Sequence, residues 1–197
     1  MWKKLLNSPA FLLTFVAVIA LAATLFPKTK SLMQVGAESP NSMRLSEHWE
    51  VKSVADGDTI TVRQTDGKEM KVRLGCIDAP EIPHGKAPGQ PFGNEAKEKL
   101  RSLVAAANNQ VMIIPVESDR YGRTVAEVMA SGKDGIEVSF QEEMLKSGLA
   151  YFYKQYASKC PNYLAFEQAQ KIAITSKAGV WGQSGLEKPW DYRKRYR

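Results

Sequence analysis

Two short acidic clusters carry the residue types most able to do chemistry in this 197-residue chain: Asp56-Gly57-Asp58-Thr59 and Asp78-Ala79-Pro80-Glu81. Carboxylates drawn together in a tight turn repel one another and raise each other's pKa unless a cation joins them. A set of carboxylates without histidine or cysteine suits a hard divalent cation such as calcium or magnesium. An Asp-Gly-Asp tripeptide alone is also an ordinary hairpin turn, with glycine permitting the bend. Basic residues accompany the acids. Arg73 precedes Asp78 by five positions, and Arg120-Tyr121-Gly122-Arg123 forms a second basic cluster. An arginine fork can bind a phosphate through two parallel hydrogen bonds and stabilise charge developing on it. Each arginine alone reads better as a solvated surface charge; together with the acids at strand ends of one small barrel the set is harder to dismiss.

These residues sit at the ends of short strands. Period-two alternation runs through Trp49–Val54, Thr59–Arg63 and Met70–Leu74, punctuated by Asp56-Gly57 and Asp66-Gly67, and predicts a three-stranded meander. Helical spacing over Phe92–Ala107 puts Ala96, Leu100, Leu103, Val104 and Ala107 on one face, with Asn94 as the expected N-cap. Val111–Val116 and Arg123–Met129 read as two further strands joined by the polar loop Glu117–Gly122. Val138–Lys146 and Asn162–Ser176 read as helices ending at Gly148 and Gly179. The expected fold class is α+β, mainly β: a five-stranded, partly open OB-fold barrel with about three helices, preceded by an N-terminal hydrophobic helix. A flat α+β sandwich fits the periodicity nearly as well.

The chain carries 27 Lys+Arg against 21 Asp+Glu, a net charge of +6, which points at first sight to nucleic acid or anionic lipid. The excess lies at the ends. Residues 1–37 hold four lysines and no acid, and residues 188–197 hold five basic residues with Asp191. Residues 38–187 hold 18 basic and 20 acidic residues. Bulk charge therefore does not identify the ligand of the body. Two cysteines exclude a disulfide-dense scaffold and a cysteine zinc cluster, and two histidines leave little for a histidine metal site.

The expected organisation is a signal peptide or membrane anchor over 1–26, a linker over 27–47, a domain over 48–186 and a basic aromatic tail over 187–197. Lys3 and Lys4 precede an uncharged run, Leu5–Phe26, whose 22 residues at about 1.5 Å each would just span a hydrocarbon core. Ala20-Leu21-Ala22 offers a signal cleavage site, but the apolar run continues beyond it. Either reading places the body outside the cytoplasm: secreted, periplasmic or membrane-anchored. The tail mixes Trp190, Tyr192 and Tyr196 with basic residues. It reads as a solvated tail that packs one tryptophan back on the domain, or as a contact for nucleic acid or lipid. Cys76 reads as part of the third strand and Cys160 as preceding a helix, and their pairing stays open.

Taken together, Ala55–Thr59, Val72-Arg73-Leu74, Ile77–Glu81, Asp119–Arg123, Gly148-Leu149-Ala150 and Gly179-Val180-Trp181 resemble, in order and spacing, the staphylococcal nuclease (thermonuclease) family over roughly Trp49–Ser184. The resemblance implies an OB-fold and calcium-dependent hydrolysis of DNA and RNA to 3′-phosphates by a monomer. It implies Asp58, Asp78 and the Ala79 carbonyl as calcium ligands, with Asp56 as an outer acid. Glu81 is implied to orient or deprotonate the attacking water, and Arg73 and Arg123 to hold the scissile phosphate. Arg120, Tyr121 and, among Tyr151–Tyr156, Tyr153 are implied substrate contacts. Ala79 stands where the family often has threonine, and Arg120 where lysine is familiar. The segment Ile82–Gly93, with His84, resembles the loop beside that active site. A catalytically silent barrel that binds nucleic acid or protein, tethered to a membrane, is the alternative.

Overall fold

The computed structural model describes residues 48–132 and 135–196; the expected anchor over 1–26 and linker over 27–47 lie outside the described residues. β1 (His48–Val54), β2 (Thr59–Arg63) and β3 (Glu69–Leu74) form the expected antiparallel meander. Their alternation buries Val51, Ile60, Val62, Val72 and Leu74 on the inner face. β5 (Gln110–Ser118) pairs with β1 and with β6 (Thr124–Ser131). β6 then runs parallel to β3, with Val72 opposite Thr124 and Leu74 opposite Ala126. That pairing closes β1, β2, β3, β6 and β5 into a five-stranded barrel of the OB type, and excludes the flat sandwich. Register shifts after Val51 and after Pro115 are the bulges that let the strands curve, and Pro115 is tolerated at one of them.

Three short strands complete the β structure. β4 (Ile77–Asp78) pairs with β8 (Tyr151–Phe152), so Asp78 lies opposite Tyr151, and β7 (Glu137–Ser139) pairs antiparallel with β6. α1 (Gly93–Ala106) closes one end of the barrel with Ala96, Leu100 and Val104 buried. α2 (Phe140–Lys146) buries Phe140, Met144 and Leu145, and α3 (Tyr163–Ser176) buries Phe166, Ala169 and Ala173. A 3-10 turn covers Lys154–Lys159, another Gly179–Trp181, and α4 (Pro189–Arg195) follows.

Several local expectations need correction. Asn94 does not cap α1. The cap position is Phe92, in the left-handed region at φ 69 and without a side-chain bond, and Asn94 lies inside the helix. Close backbone packing sets this entry: a Cβ on Gly93 would lie 2.3 Å from the Glu81 carbonyl oxygen. Val138 belongs to β7, and Ser139 instead caps α2, accepting from the Glu142 amide at 3.3 Å. Arg123 precedes β6. Cys76 lies in the turn between β3 and β4 at φ 60, where it bonds Cys160 with Cα atoms 6.3 Å apart. The tail is not a loose extension: it carries α4, and Tyr192 is buried.

Candidate active site

The two acidic clusters come together because β1–β2 and β3–β4 end side by side. In the turn after β1 the Asp56 carboxylate accepts from the Asp58 amide at 3.0 Å, which orders the Asp-Gly-Asp bend. Gly57 is buried there, and a Cβ on it would lie 2.7 Å from the Cβ atoms of both Ala79 and Ala96. Glycine is thus needed for close approach of turn, β4 end and α1, and not for a positive φ. The turn also meets β4 through a hydrogen bond from the Ala79 amide to Asp58 Oδ2, at 3.1 Å.

Arg73 lies between the clusters. Its Nη2 donates to Asp78 Oδ1 at 2.6 Å and to Asp58 Oδ2 at 3.3 Å, and its Nη1 donates to the Ile77 carbonyl at 3.0 Å. A single nitrogen reaching both carboxylates shows that they converge on one small cationic centre. Asp78 is fully buried and Asp58 nearly so. Burial drives Asp56 up to about 7, reinforced by the charge of Asp58. Burial also lifts Asp78 to about 6 against the opposing pull of Arg193 and Arg73. At Asp58 burial is outweighed by Arg73, the Ala79 amide and Arg193, which hold the carboxyl below its usual range.

Glu81 follows β4, with its side chain 28% exposed. Gln90 fastens its backbone: the Glu81 amide donates to Gln90 Oε1 at 3.1 Å, and the Gln90 amide returns a bond to the Glu81 carbonyl at 2.8 Å. Arg193, from α4, donates through Nη1 and Nη2 to the two Asp78 oxygens at 2.9 and 2.8 Å, and through Nη1 to Glu81 Oε1 at 2.6 Å.

Arg123 stands apart from this cluster. Asp119 grips it, with Nε–Oδ2 at 2.8 Å and Nη2–Oδ2 at 2.7 Å, while Nη1 reaches Thr59 Oγ1 at 3.4 Å. Tyr121 is 65% exposed, with the Arg120 and Arg123 guanidinium groups 5.1 and 5.6 Å from its ring centre. Tyr153 is half-buried, stacked on Trp190 at 4.8 Å and meeting Tyr156 edge-on at 4.9 Å. Arg120, Tyr121, Arg123, Tyr153 and Tyr156 border one cleft of about 910 Å³, which Asp56, Asp58, Arg73, Ala79, Glu81 and Arg193 also line, while Asp78 is fully buried and does not line it. The structure therefore gathers Asp56, Asp58, Arg73, Asp78, Ala79 and Glu81 tightly. Arg120, Tyr121, Arg123 and Tyr153 lie elsewhere along the same cleft. Trp190 packs back on the domain, against Tyr153, as one reading of the tail expected, whereas Arg193 and Gln90 were not singled out from sequence. The signal for Arg193 was Pro189 at a helix start with Trp190 and Arg193 three residues apart on one face.

Among the described residues, no three His, Cys, Asp or Glu side chains already form a metal cage. The donors nevertheless fit a hard divalent cation: Asp58 and Asp78 offer only oxygen, are packed in a small space, and already share one positive nitrogen.

A closed five-stranded barrel carrying carboxylates and guanidinium groups at its strand ends defines a class of small α+β barrel proteins. Within that class, the sequence model described as staphylococcal nuclease homologue matches residues 71–183, and the chain belongs to this family. It is 32% identical over 175 residues to a thermonuclease of Staphylococcus hyicus, covering 86% of this chain and 94% of that one. It is 38% identical over 144 residues to an uncharacterized endonuclease of Haemophilus influenzae, covering 73% and 71%. An uncharacterized 38.1 kDa protein of Capnoides sempervirens is 38% identical over 130 residues, covering 66% and 33%. The chain spans only about a third to two fifths of the length of some curated plant relatives.

Proposed function

We propose that this chain is a nuclease, a hydrolase acting on ester bonds, that cuts DNA and RNA phosphodiesters with calcium and leaves 3′-phosphates. The convergence of Asp58, Asp78, Glu81 and Arg73 at one end of a cleft that also holds Arg123 carries this reading. Names of relatives that specify nuclease or endonuclease activity support it.

Asp58, Asp78 and the Ala79 carbonyl would hold the cation, with Asp56 nearby. Calcium, when bound, supplies positive charge that polarises the phosphoryl group. Arg123, partly exposed and oriented by Asp119, binds the non-bridging phosphate oxygens as charge builds on them. Arg73 serves the same anion from the buried side. Preorganised donors of this kind stabilise the transition state without reorganisation. Glu81 accepts a hydrogen bond from the attacking water, aiming or deprotonating it. The new bond joins water oxygen to phosphorus and the bond to the 5′-oxygen breaks. The open cleft lets solvent return a proton to that leaving oxygen. Tyr121 and Arg120 flank the phosphate chain, and Tyr153 offers a ring for a base, a contact tolerant of sequence.

The occupation of both Asp78 oxygens by Arg193 favours a second reading, a barrel that binds nucleic acid without cutting it. Incubating the full chain with single-stranded DNA, with calcium or with EDTA, and with Glu81→Gln and Arg123→Ala, separates the two. Calcium-dependent cleavage lost in both variants supports the enzyme. Equal cleavage in EDTA refutes the metal role, and binding without cleavage leaves the second reading.

We also propose that the body works outside the cytoplasm, released or held by residues 1–26. The Cys76–Cys160 disulfide supports an oxidising compartment. Cell fractionation tests this; activity confined to the cytoplasm refutes it.

A further inference from the structure

Residues 187–193 are built into the site by a series of specific contacts. Gln90, whose amide and side chain fasten Glu81, also donates through Nε2 to the Glu187 carbonyl at 2.8 Å. The Gly89 amide donates to the buried Tyr192 hydroxyl at 2.9 Å. Trp190 lies on the Tyr153 ring with planes 9° apart, and the Lys188 ammonium stands 3.8 Å from the Tyr151 ring centre. The segment that carries Glu81 and the segment that carries Arg193 are therefore docked on each other. Arg193 faces two acids that are three residues apart in sequence, and its planar fork meets both.

We infer that Arg193 is a positioning residue of the active site: it fixes Glu81 Oε1 beside Asp78, so that the other Glu81 oxygen serves the water. The inference rests on the nuclease reading above. It has a second consequence at Asp78. Both oxygens of that carboxylate already accept from Arg193, so a cation bonding Asp78 takes over part of that contact while Arg193 keeps Glu81. Arg193 and the cation share Asp78, whereas Arg193 alone holds Glu81. Its removal then has opposite effects on the two functions: cation binding tightens and turnover slows.

The test uses the full chain as wild type, Arg193→Ala and Arg193→Lys, and four measurements. These are kcat and KM on single-stranded DNA at saturating calcium, calcium affinity by calorimetry without DNA, and the melting temperature. For R193A the expected result is a fall in kcat of about ten- to hundredfold, the scale of a misplaced reacting group, with KM little changed. Calcium binds several-fold more tightly. R193K recovers part of kcat, because one ammonium cannot span both acids as a guanidinium does. Added guanidinium ion also raises kcat of R193A, which a merely structural role would not allow. If R193A melts too early to assay, Arg193→Gln gives the same comparison with the side-chain stem retained.

A rise in kcat for R193A overturns the inference and makes α4 a plug. Unchanged kcat, or a loss that neither lysine nor guanidinium relieves, overturns it in favour of a structural role. Weaker calcium binding overturns the sharing of Asp78. A wild-type chain that does not cleave overturns the nuclease reading and this inference together; a cleaving wild type with an unaffected R193A overturns only this one.

Discussion

Gly57 and Ala79 approach so closely that a Cβ on the glycine would stand 2.7 Å from the alanine methyl, with the Ala96 methyl equally near on the other side. This contact joins the turn that bears Asp58 to the strand end that bears Asp78, and seats both on α1. The distance between the two acids is thus set by an absent side chain.

Gly57→Ala should therefore cost about 1–3 kcal/mol, the range for overpacking. Since Asp58 would shift relative to Asp78, activity should fall by up to about a hundredfold. Urea unfolding and a DNA cleavage assay check both; an unaffected midpoint and rate would show that the contact can relax freely.

Arg73 and Arg123 should behave differently when truncated. Arg73→Ala removes the one cation that bridges Asp58 and Asp78, leaving Arg193 as the counter-charge at Asp78, and should destabilise the calcium-free chain by about 3 kcal/mol. Calcium should restore much of that loss by supplying positive charge at the same acids. Arg123→Ala, at a partly exposed residue, should leave the melting temperature nearly unchanged and lower kcat about 10²–10³-fold. Thermal melts with and without calcium, set beside kinetics, distinguish the two. Equal melting shifts in both variants would refute the assignment of different roles.

Asp56 gives a pH signature. With its folded pKa raised from 3.8 to about 7, the native chain keeps a proton across that window which the unfolded chain has lost. Stability therefore falls as pH rises from about 4 to about 7 and stays at the lower value above it. Asp56→Asn keeps the oxygen that accepts from the Asp58 amide and removes the charge. In EDTA it should stabilise the chain at pH 8, on the order of 1–2 kcal/mol, and change little near pH 4. Denaturant titrations at the two pH values check the sign; an equal effect at both would count against it.

The disulfide closes a loop between residues 84 positions apart. Its removal by paired Cys76→Ser and Cys160→Ser substitution should cost about 2–5 kcal/mol. Because Cys76 lies two residues before Asp78, cleavage should weaken along with stability. Reduction of the wild type, followed by melting and by assay at low temperature, tests both effects.

How far the sequence reached is seen residue by residue. Alternation through Ile60, Val62, Val72 and Leu74 announced β2 and β3, because one buried face imposes a period of two. The barrel closure by parallel β3 and β6 had no local signature, since pairing across some fifty residues is decided by global packing. Asn94 has the chemistry of a cap, yet the fit of Gly93 against the Glu81 backbone moved the helix start. Asp58, Asp78 and Arg73 stood out as charged residues at strand ends and a turn, but their grouping with Glu81 into one site came from the resemblance to the nuclease family. Arg193 was hidden among basic neighbours, where composition suggests solvent. Only tertiary contact with Asp78 and Glu81 distinguishes it from Arg195, which pairs with Glu187.

The bond from Arg193 to Asp78 spans 115 positions of chain. A polypeptide still being made can possess the barrel, both aspartates and Glu81, and yet lack the clamp until synthesis has passed residue 193. Under the role inferred for that arginine, the cutting centre matures later than the barrel that carries its acids. Under the proposed nuclease reading, a protease that clips ahead of α4 would slow cutting while leaving the aspartates and Glu81 in the chain.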